Sequence, residues 1–210
     1  MKEIAIVGSG GFGKEIAFLI ERTGDWKIIG FFDDNTNKKI YGYDIVGSTD
    51  DLVNWQSEIA IVCAIGNSEV RKKIIGKIKS NSRLTFPTVI DPSVIMGKQV
   101  QLGEGNIICA NSILTVDIKL GNFNIINLNT TIGHDVQIKS FNTFYPTVNI
   151  SGFIETDDGV EVGTGSQIIQ NLKIGKNAII GAGSVVIKDV PANTTSVGVP
   201  AKVIKIRKEV

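Results

Sequence analysis

A glycine motif close to the start of the chain has the residue types and the spacing of a nucleotide-binding turn. Residues 8–13, GSGGFG, carry glycine in a G-x-G-x-x-G pattern between an apolar run and an amphipathic one. Glycines let the backbone approach a phosphate closely, and the amino end of a following helix favours negative charge. Asp33 follows Gly13 by 20 residues, the distance of the acid in dinucleotide-binding units. The motif indicates a nucleotide site; the alternative is a turn that serves only to pack a strand against a helix.

The second candidate for chemistry is the only histidine of the chain, His134. An imidazole titrates near neutral pH and can take a proton from a nucleophile, although a lone histidine is more often an ordinary surface residue. No serine or cysteine accompanies it in a recognisable nucleophile motif, so direct attack on a substrate is favoured over an acyl-enzyme. The two cysteines, Cys63 and Cys109, each lie in an apolar run and are expected to be buried thiols.

The elements that position the glycine motif alternate between strand and helix. The predicted strands are residues 3–7, 27–32 and 59–65. A helical apolar stripe follows the motif and ends before Thr23, and Ser68 is the expected N-cap of a basic helix, EVRKKIIGKIK. This alternation predicts a parallel sheet with crossover helices. Only about 85 residues precede the next change of pattern, which gives room for half of a dinucleotide-binding fold and for one nucleotide.

After Pro87 the hydrophobic pattern changes to a period of six. Fifteen of the sixteen residues at this spacing are aliphatic or aromatic, and Thr156 is the exception. The positions are Met96, Leu102, Ile108, Leu114, Leu120, Ile126, Ile132, Ile138, Phe144, Ile150, Thr156, Val162, Ile168, Ile174, Ile180 and Val186. Short strands separated by turns, each adding one side chain to a shared core, explain this period, and they form a parallel β-helix. Three hexapeptides make a triangular coil of about 18 residues, so the register covers about five coils.

These periods divide the chain into three parts. Residues 1–87 are expected to form the α/β nucleotide-binding unit, residues 88–190 the β-helix, and residues 191–210 a C-terminal cap or arm. Thr156 lies beside Asp-Asp-Gly and is expected to mark a corner or a small distortion of the β-helix.

Residues one coil apart are expected to stack. Asp117 stacks on Asp135, where it is either a second acid at the site or an unfavourable like charge. Gly152 follows His134 by one coil and is expected to leave open space beside the imidazole. The N–H of Gly152 is then a candidate donor to an oxyanion.

The composition excludes some classes of partner. Lysine and arginine (22) nearly balance aspartate and glutamate (21), and no block of like charge predicts a nucleic-acid partner. A strand pattern begins within three residues of the N-terminus, and no apolar stretch has the length of a membrane span. The sequence therefore predicts a cytoplasmic protein without a signal peptide or a membrane span.

Four strings connect the chain to a known family. GSGGFG, AIGNSEVRKKI, IGHD and GVPAK, together with the repeats, resemble the acetyl-CoA-dependent N-acetyltransferases of UDP- or dTDP-linked 4-amino-4,6-dideoxy sugars. These bacterial enzymes, with the so-called sialic acid O-acetyltransferases, are members of the hexapeptide-repeat acyltransferase superfamily. The resemblance covers essentially the whole chain. It implies a left-handed β-helix, a homotrimer and acetyl-CoA bound in the groove between neighbouring β-helices, with no metal.

The resemblance also implies roles for individual residues. His134 is expected to be the general base, and Asp135 the acid that makes the imidazole more basic. The positions matched to the nucleotide sugar are Gly10, Gly11, Phe12, Asp33, Asp34, Gly66 and Asn127. The positions matched to coenzyme A are Thr143, Gly152, Thr164 and Ala182. Relatives often carry histidine in place of Phe12 and Thr143, which leaves those two contacts open, and Asn127 could instead belong to an internal asparagine ladder.

Three functional hypotheses follow from these residues. The first is acetyl transfer from acetyl-CoA to the amine of a nucleotide-linked sugar, with His134 as base. The second keeps the fold and the base but acetylates a hydroxyl, as in a sialic acid. The third is a non-catalytic trimeric protein that binds a nucleotide sugar, and IGHD argues against it because it keeps the sole histidine beside an acid.

Overall fold

The computed structural model describes residues 1–34 and 39–207. Within them, the N-terminal part is a five-stranded parallel sheet with two α-helices and a short 3₁₀ helix. The elements are β1 (Lys2–Val7), α1 (Gly11–Thr23), β2 (Trp26–Phe32), β3 (Ile45–Gly47), the 3₁₀ helix (Asp51–Asn54), β4 (Ile59–Cys63), α2 (Ser68–Ile78) and β5 (Leu84–Thr85). The strand order is β3-β2-β1-β4-β5, so the glycine motif leaves the central strand at the carboxyl edge of the sheet.

Three expectations about this part need correction. Helix α1 begins at Gly11 with Gly10 as its N-cap, so the turn is shorter than residues 8–13. Asn67 rather than Ser68 caps α2, because the side chain of Asn67 accepts a hydrogen bond from the N–H of Val70 at 2.9 Å. The described sheet has five strands rather than about three, because β3 and β5 are too short to give an apolar run in the sequence.

The second part is a parallel β-helix, as the period of six predicts. Each of the sixteen repeat positions is the second residue of a two-residue strand, and strands 18 residues apart pair in parallel. The strands are β6 (Val89–Ile90), β7 (Ile95–Met96), β8 (Gln101–Leu102), β9 (Ile107–Ile108), β10 (Ile113–Leu114), β11 (Lys119–Leu120), β12 (Ile125–Ile126), β13 (Thr131–Ile132), β14 (Gln137–Ile138), β15 (Thr143–Phe144), β16 (Asn149–Ile150), β17 (Glu155–Thr156), β18 (Glu161–Val162), β19 (Gln167–Ile168), β20 (Lys173–Ile174), β21 (Ile179–Ile180) and β22 (Val185–Val186).

These strands form three faces. The first face contains β6, β9, β12, β15, β18 and β21; the second contains β7, β10, β13, β16, β19 and β22; the third contains β8, β11, β14, β17 and β20. Two further strands, β23 (Thr194–Val197) and β24 (Lys202–Ile206), extend the first face as a hairpin. The described part of the C-terminal segment is therefore paired with the β-helix.

Sharp turns join the faces at intervals of six residues. The turn residues have positive φ, for example Asp117 (55°), Asn129 (56°) and Asp135 (58°). Asparagine, aspartate and glycine adopt this left-handed conformation most readily, and many of the turns carry one of them. The turns direct the intervening side chains outward, and they place the residues after each strand at the corners of the triangle.

The core of the β-helix combines apolar residues with a buried asparagine ladder. Asn106, Asn124 and Asn142 are fully buried, and the Oδ1 atom of each accepts a backbone N–H from the coil above at 2.7–2.8 Å. The ladder therefore lies elsewhere than Asn127. Thr156 does not mark a distortion, because β17 keeps its register with β14 and β20. Its hydroxyl is buried without a hydrogen-bond partner.

The two parts share an apolar junction. Helix α1 contributes Ile16 and Ile20 to a cluster that includes Ile107 and Ile125 of the first face. Both cysteines are free and buried, as expected, and burial raises the pKa of each thiol to about 12. At the far end of α1, Arg22 donates two hydrogen bonds, of 2.7 and 3.0 Å, to the buried carboxylate of Asp91. The junction thus fixes the N-terminal part against one face of the β-helix.

Candidate active site

The histidine lies at an exposed turn between the second and the third face. Nδ1 of His134 is 2.9 Å from Oδ2 of Asp135, and about half of each side chain is exposed. Asp135 is the residue of this turn with a positive φ, 58°. The ring of Phe153 meets the imidazole edge-on, with the ring centroids 5.1 Å apart. Since Nδ1 is engaged by the carboxylate, Nε2 is left to exchange a proton with a ligand.

Gly152 is covered by the histidine ring, which corrects the expectation of open space beside it. A Cβ atom added to Gly152 would lie 2.6 Å from Cε1 and 2.7 Å from Nε2 of His134. The glycine is buried, and its missing side chain is what allows the imidazole to lie flat against the coil. The 18-residue period correctly places His134 beside Gly152. It does not determine that the imidazole fills the space at Gly152.

A cavity of about 360 Å³ lies next to the histidine turn. Asp117 and Asp135, one coil apart, both line it, and so does the exposed ring of Phe153. The stacking of the two aspartates follows the expected 18-residue period. Only Asp135 hydrogen bonds to the imidazole.

The glycine turn is shaped by contacts at two of its three spaced glycines. Gly8 has a φ of 99°, and a Cβ there would lie 2.5 Å from Cδ1 of Ile65. A Cβ on Gly13 would lie 2.1 Å from the carbonyl oxygen of Gly8, so this glycine permits close packing of helix on strand. Gly10 and Gly11 are exposed and have nothing within 4 Å of an added Cβ. The open side of the turn is therefore at Gly10 and Gly11.

The two aspartates after β2 support the loops around this turn. Oδ2 of Asp33 accepts hydrogen bonds from the N–H (2.7 Å) and the hydroxyl (2.8 Å) of Ser9, inside the motif. Oδ1 of Asp34 accepts from the N–H (2.8 Å) and the hydroxyl (3.1 Å) of Thr49. Phe12 is half-buried and packs on the apolar cluster beneath α1. These residues lie around the expected nucleotide site, but Asp33 and Phe12 also have structural contacts there.

Gly66 follows β4 at the carboxyl edge of the sheet and lies beside the corner between the first and the second face of the β-helix. A Cβ on Gly66 would lie 3.7 Å from the hydroxyl of Tyr145, which follows β15 at that corner. Asn127 occupies the same corner one coil earlier, and its N–H donates to the carbonyl of Phe144 at 3.0 Å. Asn127 thus lies one coil from Tyr145, the residue that faces Gly66. His134 lies at a different corner of the same chain.

Thr143 is buried at the junction between the two parts. The residue is 1% exposed, and its hydroxyl donates to the carbonyl of Gly66 at 2.7 Å and accepts from Nη2 of Arg71 at 2.9 Å. The hydroxyl of Thr143 therefore has both of its partners within the junction, and its contact with coenzyme A stays a prediction. Arg71 itself was missed by sequence reasoning, which treated it as one charge of a basic helix.

The remaining positions matched to coenzyme A divide between two corners. Thr164 follows β18 and Ala182 follows β21, so both lie exposed at the corner between the first and second faces, one coil apart. Gly152 lies with His134 at the next corner. One chain therefore brings Thr164 and Ala182 together with Asn127, but not with the histidine.

Residues 1–34 and 39–207 contain neither a metal-binding group of side chains nor a membrane-spanning helix. No three histidine, cysteine, aspartate or glutamate side chains there are grouped so as to hold a metal ion. No helix in this described part has the length and apolar character of a membrane span.

Comparison with known sequences identifies related proteins. Residues 3–78 match the family described as the PglD N-terminal domain. UDP-N-acetylbacillosamine N-acetyltransferase of Bacillus subtilis (strain 168) is 34% identical over 115 residues, which are 52% of this chain and 52% of that protein. The chain spans about half, or less, of the length of the curated relatives that it matches.

Comparison with solved structures covers nearly the whole chain. WeeI from Acinetobacter baumannii AYE is 32% identical with a TM-score of 0.90, over 97% of this chain and 100% of that one. A variant of perosamine N-acetyltransferase from Caulobacter crescentus, in complex with CoA and GDP-perosamine, is 25% identical with a TM-score of 0.91, over 98% of each chain. These overlays confirm the expected fold class, an α/β unit followed by a left-handed β-helix.

Proposed function

We propose that this chain, which belongs to the hexapeptide-repeat family of bacterial sugar N-acetyltransferases, transfers an acetyl group from acetyl-CoA to the amine of a nucleotide-linked amino sugar. The proposed acceptor is a 4-amino-4,6-dideoxy sugar joined to a nucleoside diphosphate, as the family resemblance implies. The observation that carries this proposal is the pair of His134 and Asp135 at an exposed turn, with Nδ1 of the imidazole 2.9 Å from the carboxylate.

The proposed chemistry is direct transfer with His134 as general base. The sugar amine attacks the thioester carbon, so a C–N bond forms while the C–S bond breaks. The amine becomes more acidic as it attacks, and Nε2 of His134 takes its proton. The imidazolium, held by the carboxylate of Asp135, then returns the proton to the departing thiolate. No residue has to carry the acetyl group.

The acceptor is proposed to bind at the carboxyl edge of the N-terminal sheet. Gly10 and Gly11 leave the backbone open at the amino end of α1, where a diphosphate is favoured. Phe12, Asp33, Asp34 and Gly66 border this place, and Asn127 lies at the adjacent corner of the β-helix. The proposal assigns Asn127 to the sugar or its amine, which agrees with its location outside the asparagine ladder.

The separation of the two corners supports a homotrimer. In one chain Gly66 and Asn127 lie at one corner, whereas His134 and Gly152 lie at the next. A second copy that places its histidine corner against the first chain's Asn127 corner completes the site. Coenzyme A would then lie in the groove between the two β-helices, with Thr164 and Ala182 on one wall and Gly152 on the other. In this arrangement neither chain is active alone.

The proposal is tested by following thiol release from acetyl-CoA. The acceptors are UDP-, dTDP- and GDP-linked 3-amino and 4-amino sugars, with a sialic acid as the hydroxyl acceptor. We expect turnover on an amino sugar that is lost in the His134→Ala protein, and sedimentation of the active protein as a trimer. Turnover only on the hydroxyl acceptor would replace N-acetylation by O-acetylation. Full activity of His134→Ala would refute the mechanism.

A further inference from the structure

We infer that Arg71 is a positioning residue, which holds the Gly66 loop of the acceptor site at a fixed place on the β-helix. The inference rests on the proposed function, because it concerns the same acceptor site. It concerns a side chain that contacts neither His134 nor the open part of the glycine turn.

The guanidinium of Arg71 joins the two parts of the chain through six hydrogen bonds. On the side of the N-terminal unit, Nη1 donates to the carbonyls of Ile65 (2.6 Å) and Gly66 (3.0 Å). On the side of the β-helix, the donors bond to acceptors in three consecutive residues and in one residue a coil earlier. These acceptors are the carbonyls of Phe123 (3.0 Å), Phe141 (3.0 Å) and Asn142 (3.1 Å) and the hydroxyl of Thr143 (2.9 Å).

The geometry of these bonds requires a guanidinium. Arg71 is 1% exposed, and within the described residues no carboxylate lies within ion-pairing distance of it. Burial lowers its pKa to about 10, so the group stays charged at neutral pH. A planar fork with five N–H donors can serve carbonyls on both sides at once, whereas the three donors of an ammonium radiate from one atom.

The same loop is held from a second direction by Thr143. Its hydroxyl accepts from Arg71 and donates to the carbonyl of Gly66, so the arginine, the threonine and the loop form a closed set of hydrogen bonds. Glu161 adds a nearby bond across the junction, by accepting from the N–H of Ser68 at 2.8 Å. Arg71 and Thr143 together therefore hold the carbonyl of Gly66 at this place on the β-helix.

A matched control exists at the other end of the junction. Arg22 also joins the two parts, through its ion pair with Asp91, but it lies at the C-terminal end of α1, far along the helix from the glycine turn. Arg22→Lys should weaken the junction without releasing the Gly66 loop. Arg71→Lys should do both.

The experiment compares Arg71→Lys, Thr143→Val and Arg22→Lys in the full chain. For Arg71→Lys we expect the acceptor KM to rise at least tenfold while the acetyl-CoA KM changes less than twofold. Amide hydrogen exchange at residues 64–67 should accelerate in Arg71→Lys and, to a smaller extent, in Thr143→Val. In Arg22→Lys the melting temperature should fall, with both the acceptor KM and the exchange at residues 64–67 unchanged.

Two results would overturn the inference. If Arg22→Lys and Arg71→Lys had equal effects on the acceptor KM and on exchange at residues 64–67, Arg71 would contribute only to the overall stability of the protein. Unchanged exchange at residues 64–67 in both Arg71→Lys and Thr143→Val would remove the proposed restraint. If the wild-type protein acetylates no acceptor, the proposed function fails, and the exchange measurements still decide whether Arg71 holds the loop.

Discussion

The imidazole of His134 lies directly against Gly152, one coil further along the β-helix. A Cβ on Gly152 would lie 2.6 Å from Cε1 of the ring, closer than non-bonded carbon atoms approach. The rotamer of the proposed base therefore depends on the absence of a side chain 18 residues away. The φ of Gly152 is not in the left-handed region, so an alanine there is compatible with the backbone, and the atoms nearest to its methyl group belong to the ring.

Gly152→Ala is expected to displace the imidazole and lower kcat. A misplacement of about 1 Å of a catalytic group can cost on the order of 10²-fold in rate, and we expect a loss of that order here. Steady-state kinetics with both substrates measures it. Gly76→Ala is the control, since that exposed glycine of α2 has nothing within 4 Å of an added Cβ. A Gly152→Ala protein with wild-type kcat would show that the ring can move without consequence.

Asp135→Asn is expected to lower kcat with little change in acetyl-CoA KM. The carboxylate lies 2.9 Å from Nδ1. In the proposed mechanism it stabilises the imidazolium that forms as the proton moves, and an amide cannot supply that charge. We expect a loss of about 10²-fold, within the range of general base catalysis. Asp117 lines the same cavity without a bond to His134, so Asp117→Asn should reduce kcat far less. Comparable losses in the two variants would assign the role to the pair of acids.

The sequence predicts the β-helix in detail because its repeat is local. One apolar residue in each six must point inward, and all sixteen predicted positions are strand residues in the structure. The stacking of Asp117 on Asp135 and of His134 on Gly152 follows from the same period. Which group fills the space at Gly152 depends on a side-chain rotamer, which no period specifies.

The sequence did not predict the junction contacts of Arg71 and Thr143, because they are long-range and most of the acceptors are backbone carbonyls. The acceptors of Arg71 in the β-helix are 52 to 72 residues away, and most are carbonyls, which every residue possesses. No pattern of residue types marks them. The burial of Thr143 was not predicted for the same reason, because it arises from the docking of α2 and not from the place of Thr143 in the repeat.

Thr156→Val is expected to stabilise the protein. The hydroxyl of Thr156 is buried without a hydrogen-bond partner, at a position where the other coils place aliphatic side chains. An unsatisfied buried polar group costs about 1–3 kcal/mol, and valine has nearly the same shape, so the free energy of unfolding should rise by about 1 kcal/mol. Urea denaturation measures the change.

Ser166→Ala is the matched control for this substitution. The hydroxyl of Ser166 is equally buried, but it donates to the carbonyl of Gly181 at 2.9 Å. Its loss leaves an acceptor unsatisfied and should lower the free energy of unfolding by about 1 kcal/mol. Destabilisation by both substitutions would show that the Thr156 hydroxyl has a partner after all.

The ion pair of Arg22 and Asp91 is expected to make stability depend on pH in the acid range. Burial alone would raise the pKa of Asp91, but hydrogen bonds from Arg22 and Ser93 outweigh it and lower the pKa from 3.8 to about 2. Because the pKa is lower in the folded state, the stabilisation is complete above about pH 4 and is lost as the pH falls towards 2. A shift of this size corresponds to on the order of 2 kcal/mol.

Urea denaturation of the wild type and of Asp91→Asn between pH 7 and pH 2 measures this dependence. The two free energies of unfolding should differ most at neutral pH and converge below about pH 4, because protonated Asp91 resembles the amide. Glu3→Gln is the control: the ion pair of Glu3 with Lys27 is exposed on both sides and should contribute little at any pH. A difference between wild type and Asp91→Asn that stays constant down to pH 2 would show that the charge of Asp91 does not contribute, and that the variant acts through packing alone.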